Sequence, residues 1–175
     1  RMGRELRGAT LGVIGYGQIS RYLCCLAQAF DMRVLVNDPY AAVDGTGVSG
    51  ASLAHVLAQS DYVVCLAPAT AETENLMDAR AFAQMKKSAY FVNAARGNLV
   101  DESALLQALD AGRLAGAARD VGRAADQMPG LLLASHPMVI ATPHTGGLTL
   151  PATRHQALET VAQAAKILQG QLPAG

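Results

Sequence analysis

Thr10-Leu11-Gly12-Val13-Ile14-Gly15-Tyr16-Gly17-Gln18-Ile19-Ser20 is the stretch on which the fold turns. Its first five residues are a short apolar run that ends at glycines, the pattern of a buried strand leading into a tight turn. Gly15 permits the turn out of that strand. Gly17 lets the backbone come close to a diphosphate, where a Cβ would collide, and free N–H groups at the start of the next helix hold the phosphate charge. The place of a third packing glycine is taken by Ser20, which is also small. Asp38 follows Gly15 by 23 residues, at the end of the next apolar run. A carboxylate there accepts hydrogen bonds from two ribose hydroxyls and repels a 2′-phosphate. Pro39 and Tyr40 come next rather than an arginine, so NAD is favoured over NADP. Taken singly, the glycines also describe an ordinary turn, and Asp38 a solvated one. Their spacing favours the dinucleotide.

The rest of the chain alternates in the same way. Residues 18–30 have helical spacing, with Leu23, Leu26, Ala27 and Phe30 on one side. Residues 33–36 read as a second strand, turned by Pro39. Residues 45–49 read as a polar, glycine-containing loop, and Ser52 as the cap of a short helix through residue 57. Strands are expected at 62–66, 89–92, 115–121 and 138–141, helices at 78–85 and 101–111, with Asp101 as N-cap and Gly112 just past the end. Residues 122–137 show no period. One long helix is expected from Pro151 to about residue 169. Six strands joined by helical segments predict an α/β fold: a Rossmann-type doubly wound parallel sheet with helices on both faces and ligands beyond the carboxyl ends of the strands. Residues 1–150 are assigned to the NAD-binding domain and 151–175 to a C-terminal helix.

Composition narrows the function. Lys+Arg and Asp+Glu number 14 each, so nothing argues for nucleic acid or an anionic membrane as partner. No apolar run approaches the roughly 20 residues of a membrane span. Cys24, Cys25 and Cys65 lack the spacing of a metal or redox site and read as reduced core thiols of a cytoplasmic protein. No metal is predicted.

Two further stretches point to chemistry. Asn93-Ala94-Ala95-Arg96-Gly97-Asn98-Leu99-Val100-Asp101-Glu102 places an arginine at a strand end, and Thr142-Pro143-His144-Thr145-Gly146-Gly147 places a histidine after another. With the glycines and Asp38, they make the chain resemble the nucleotide-binding domain of the D-isomer-specific 2-hydroxyacid dehydrogenases over nearly its whole length. The segment Leu66-Ala67-Pro68-Ala69-Thr70-Ala71-Glu72-Thr73 is similar to the family's loop along the adenine and phosphates, which implies that Pro68 and Thr73 bind the cofactor.

The resemblance implies the following roles. Gln18 and Ile19 would present their amides to the pyrophosphate. Arg96 would bind the carboxylate and carbonyl oxygens of a 2-keto acid, because its fork stays charged and meets two oxygens at once. His144 would be the general acid in reduction and the base in oxidation. Asp120 would accept a hydrogen bond from the nicotinamide amide, Ala94 would pack near the ring, and Gly147 would let the backbone approach it. The guanidinium of Arg96 and the imidazole of His144 are expected on the same side of the nicotinamide. The family also implies a homodimer and a second, substrate domain, to which the helix after Pro151 would return.

Three departures stand out. The family's glutamate five residues after the nicotinamide aspartate is Ala125 here, and Asp126 or Gln127 is left to replace it as the partner of His144. Arg119 stands where an apolar residue is usual, either at the crevice mouth or at a cost in stability. No substrate domain is visible, so the 175-residue chain is expected to bind NAD and turn over little substrate. The leading reading is an NAD-dependent oxidoreductase acting on a small 2-hydroxy or 2-keto acid. The alternative is an NAD-sensing binding protein with lapsed catalysis, similar to the corepressors that resemble this family. A different enzyme sharing only the glycines is a third, against which Arg96-Gly97 and Pro143-His144 argue.

Overall fold

The computed structural model describes residues 4–171. Among them seven strands form one parallel sheet: β1 Thr10–Ile14, β2 Arg33–Asn37, β3 Val48–Gly50, β4 Tyr62–Cys65, β5 Tyr90–Asn93, β6 Gly116–Arg119 and β7 Val139–Ala141. Their order is β3-β2-β1-β4-β5-β6-β7. The chain therefore winds outward from β1 in one direction and then, from β4, in the other. The reversal opens a crevice beyond the carboxyl ends of β1 and β4.

Crossover helices clothe both faces. On one side α1, Gln18–Ala29, covers Leu11, Val13, Val34 and Val36 with Cys24 and Ala27. On the other, α2 (Leu53–Gln59), α3 (Ala79–Gln84), α4 (Glu102–Asp110) and the single-turn α5 (Leu131–Ala134) enclose the larger core, where Phe82 meets Phe91 edge-on. Strand β1 shows why both faces need cover: all five of its residues are buried. Ser52, Asp78 and Asp101 cap α2, α3 and α4 by accepting backbone N–H bonds.

Compact packing divides the chain between Pro143 and His144. The sheet and α1–α5 belong to the first unit. The second holds α6, Leu150–Leu168, capped by the Thr149 hydroxyl, which accepts from the Ala152 N–H at 3.2 Å. No helix of the described residues is long and apolar enough to cross a membrane.

Four expectations need correction. Residues 48–50 are a strand rather than loop, added to the sheet by pairing Val34–Val36 with Val48–Gly50. An edge strand of three residues is held by backbone bonds and needs no apolar run. Residues 131–134 form a helical turn inside the supposedly irregular segment. Helix α1 buries Ser20, Cys24 and Ala27, while Leu26 and Phe30 are exposed. The three side chains it buries are all small, which lets the helix sit close. Finally, Cys24 and Cys65 are buried but Cys25 is exposed, because adjacent helix positions point about 100° apart.

Candidate functional site

One row of strand register organises the site. Ile14 pairs with Asn37 and Cys65, Cys65 with Asn93, Asn93 with Arg119, and Arg119 with Ala141. The residues singled out in the first unit lie just past this row: Gly15 and Gly17, Asp38, Pro68, Ala94 and Arg96, Asp120. Successive crossovers thus bring residues as far apart in sequence as Gly15 and Asp120 to one rim.

The β1–β4 crevice is a cleft of about 700 Å³ lined by Gly15, Gly17, Asp38, Pro68 and Thr73, together with Tyr40 and Glu72. Gly15 has φ +92°, and a Cβ there would stand 2.8 Å from the Ala67 backbone. Only glycine satisfies both demands. Gly17 is the N-cap of α1 and supplies no side chain to its first turn, and a Cβ on it would meet nothing within 4 Å. The N–H groups of the first turn and the open space before them fit a diphosphate. Gln18 and Ile19 are exposed on that turn. Ser20, in the third glycine's place, is buried, and its hydroxyl has no partner among the described residues.

Asp38 is held rather than merely present. Its Oδ2 accepts from the Tyr16 N–H at 2.7 Å, and its Oδ1 from Tyr40 and Ala41 at 2.8 and 3.0 Å. Burial opposes its ionisation, but these N–H bonds outweigh burial and keep the carboxyl below its usual value. The Tyr16 bond ties the carboxylate to the glycine turn, so the two are held in one fixed relation. Opposite, the Thr73 hydroxyl donates to the Pro68 carbonyl at 2.7 Å and accepts from the Thr70 N–H at 2.8 Å, closing the loop after β4 on itself. The Tyr40 hydroxyl reaches Glu72 at 2.7 Å across the cleft. The sequence did not single out that pair, and no motif signals it.

Past β5, Asn93 shapes the turn that carries Arg96. Buried Asn93 donates through Nδ2 to the Arg96 carbonyl at 2.9 Å and accepts from the Ala95 N–H at 3.1 Å. Arg96 is exposed and donates to the Ala95 carbonyl at 2.7 Å. Ala94 is exposed beside it. Past β6, Asp120 accepts from the Thr142 hydroxyl at 2.5 Å, linking the ends of β6 and β7. His144 and Gly147 lie in the second unit, and His144 has φ +52°, a left-handed conformation uncommon outside glycine.

Arg119 is not at a crevice mouth. Its side chain is fully buried and pairs with Glu102 of α4 at 2.7 Å, and its Nε and Nη1 have no hydrogen-bond partner among the described residues. A buried cation with idle donors is costly.

Known proteins match this arrangement. The model of the D-isomer specific 2-hydroxyacid dehydrogenase NAD binding domain matches residues 1–146. D-3-phosphoglycerate dehydrogenase of Bacillus subtilis is 39% identical over 94% of this chain and 32% of its own length. D-3-phosphoglycerate dehydrogenase 1 of Saccharomyces cerevisiae is also 39% identical, over 94% of this chain and 38% of its own. Among solved structures, a glyoxylate reductase from Paecilomyes thermophila aligns with a TM-score of 0.90 at 30% identity, covering 98% of this chain and 53% of that one. The NAD-complexed D-isomer specific 2-hydroxyacid dehydrogenase of Lactobacillus delbrueckii ssp. bulgaricus aligns at 0.86 with 29% identity, covering 98% and 56%. The chain thus spans about a third of these curated relatives and about half of these solved chains. With its cleft, its held aspartate and its ordered motifs, the chain belongs to the D-isomer-specific 2-hydroxyacid dehydrogenase family, as its NAD-binding domain.

Proposed function

We propose that the whole protein is an NAD-dependent oxidoreductase that interconverts a D-2-hydroxy acid and its 2-keto acid. The observation that supports this is the register row, just past which Gly15, Gly17, Asp38, Pro68, Ala94, Arg96 and Asp120 follow the ends of neighbouring strands of one sheet. NAD, when bound, supplies or takes the hydride. Gly15, Gly17, Gln18 and Ile19 bind its diphosphate, Asp38 its ribose, and Pro68 and Thr73 border the adenosine. Ala94, Asp120 and Gly147 orient the nicotinamide. Arg96 binds the substrate's carboxylate and polarises its carbonyl. His144 gives the hydroxyl its proton in reduction and removes it in oxidation. Its left-handed backbone supports that role, since strained positions gather at active sites.

The family's dehydrogenase relatives and the presence of both Arg96 and His144 support catalysis over NAD sensing, which requires neither side chain. The shorter span of this chain supports a separate substrate domain that completes the pocket and excludes water. We place the enzyme in the cytoplasm as a homodimer. Free Cys24, Cys25 and Cys65 support a reducing compartment, and the dimer rests on the family alone.

The test is NADH oxidation by the full-length protein with a panel of 2-keto acids. Turnover of at least one is expected, and Arg96→Lys and His144→Gln each lower kcat/KM by about 10²–10⁴. NADH binding with no turnover across the panel transfers the protein to the sensing class. Robust turnover by the 175-residue chain alone overturns the need for a second domain.

A further inference from the structure

The segment after β6, where the family's glutamate is missing, makes contacts that no motif announces. The Gly122 N–H donates to the Gln127 carbonyl at 2.6 Å and closes residues 122–127 into a loop, with Gln127 itself left-handed at φ +61°. The Gln127 side chain then turns to the Arg96 turn, where its Oε1 accepts from the Gly97 N–H at 3.3 Å. The two backbones touch here: a Cβ on Gly97 would overlap the Gly122 carbonyl and crowd the Arg123 nitrogen. Arg123 grips the same turn from its far end. Its Nε donates to the Val100 carbonyl at 3.0 Å and its Nη2 to the Asn98 carbonyl at 3.0 Å, while Glu74, at 2.8 Å, and Asn75 hold the guanidinium in place.

The backbone just after Arg96 is therefore anchored by the 122–127 loop on one side, while Leu99 and Val100 are buried in the larger core on the other. Arg96 begins this turn as its N-cap residue, and its side chain is exposed. Its aim follows the turn. A bidentate arginine tolerates little error, because a displacement of about 1 Å costs on the order of 100-fold in rate.

We propose that the 122–127 loop is a brace that sets the direction of Arg96, with Gln127 and Arg123 as positioning residues for the substrate carboxylate. The inference rests on the assignment of Arg96 as the carboxylate binder. It gives the loop a task on the arginine side of the site, using the amide two places after the missing glutamate.

The experiment uses full-length Gln127→Met, which keeps the length and removes the acceptor, and Gln127→Glu, which restores one. In Gln127→Met, KM for the 2-keto acid rises and kcat/KM falls about 10-fold, while Kd for NADH stays within about 2-fold. Gln127→Glu recovers most of the loss. In the 175-residue chain, amide exchange at Gly97 quickens about 10-fold in the methionine variant. Arg123→Lys, at an exposed position, shifts KM in the same direction by about 3-fold and serves if Gln127→Met does not fold. Wild-type KM and wild-type Gly97 exchange in these variants, with Arg96→Lys inactive, overturn the brace and leave Arg96 its role. A fully active Arg96→Lys enzyme, or a wild type that reduces no 2-keto acid, overturns both.

Discussion

The cofactor end and the arginine end of the rim are built by different means. At Gly15–Asp38 the decisive bond, Tyr16 N–H to Asp38, spans 22 positions and joins two adjacent strands. At Arg96 the bonds reach 30 positions to Gln127 and from Arg123 back 49 to Glu74. The first is a motif, in which spacing along one βαβ unit determines geometry. The second is an assembly, in which three segments, those of Glu74–Asn75, the Arg96 turn and the 122–127 loop, must already be in place. Glycine does different work in each: Gly17 faces open space, and Gly97 leaves room for the protein's own backbone.

That contrast can be broken by experiment. Gly97→Ala is expected to cost about 3 kcal/mol, since overpacking against rigid backbone cannot be relieved by a rotamer. A melt shows it as a fall of about 6–12 °C. Gly17→Ala is expected to cost under about 1 kcal/mol in stability and to weaken NAD. Equal melting losses in the two variants would erase the distinction.

On β6, one strand beyond the arginine end, stands the Arg119–Glu102 pair. Glu102→Ala strands a buried cation and is expected to destabilise by about 2 kcal/mol, discounted because Glu102 is partly exposed. Arg119→Leu removes charge and idle donors together and is expected to lie within about 1 kcal/mol of wild type, or above it. Denaturant titration distinguishes the two. A larger loss from Arg119→Leu than from Glu102→Ala would show that the cation has further partners.

Asp38→Ala sharpens the cofactor side. Loss of the proposed ribose acceptor and of the Tyr16 tie is expected to weaken NAD by about 2 kcal/mol, roughly 30-fold, by calorimetric titration. Unchanged affinity would remove Asp38 from the site. The smallest effect is with pH. The Asp38 carboxyl is held below its usual value, so its contribution is fully present above about pH 4 and is lost only as pH falls through the lowered value. NAD affinity is therefore expected to stay flat from pH 8 to 5. A decline within that window would assign the dependence to another group.

Much of the cofactor end was legible because it is local. Buried parallel strands are continuous apolar runs, and the residues after them are turn residues, so β1, β2, β4 and β5 emerged within a residue or so of their ends. Strand β3 escaped because its three residues add backbone bonds and little apolar surface. Helical spacing groups Leu23, Leu26, Ala27 and Phe30 on one side of α1 but does not fix which positions are buried, and the structure buries Ser20, Cys24 and Ala27. Arg119 was noticed as unusual, but a position in sequence does not tell whether a side chain points to the rim or under α4. Gln127 was weighed only as a partner for His144, since nothing in its neighbours signals Gly97.

The amino-acid sequence alone determined the strand–helix alternation, the glycine turn, the aspartate after β2 and the family, because each depends on spacing within a few dozen residues. Tertiary structure decided which groups hold those residues: the Tyr16 N–H bond on Asp38, the Glu102 partner of buried Arg119, and the loop that grips the Arg96 turn. Such contacts join segments 17 to 49 positions apart, and no local pattern records them, because they exist only once the sheet has brought its strand ends to one edge.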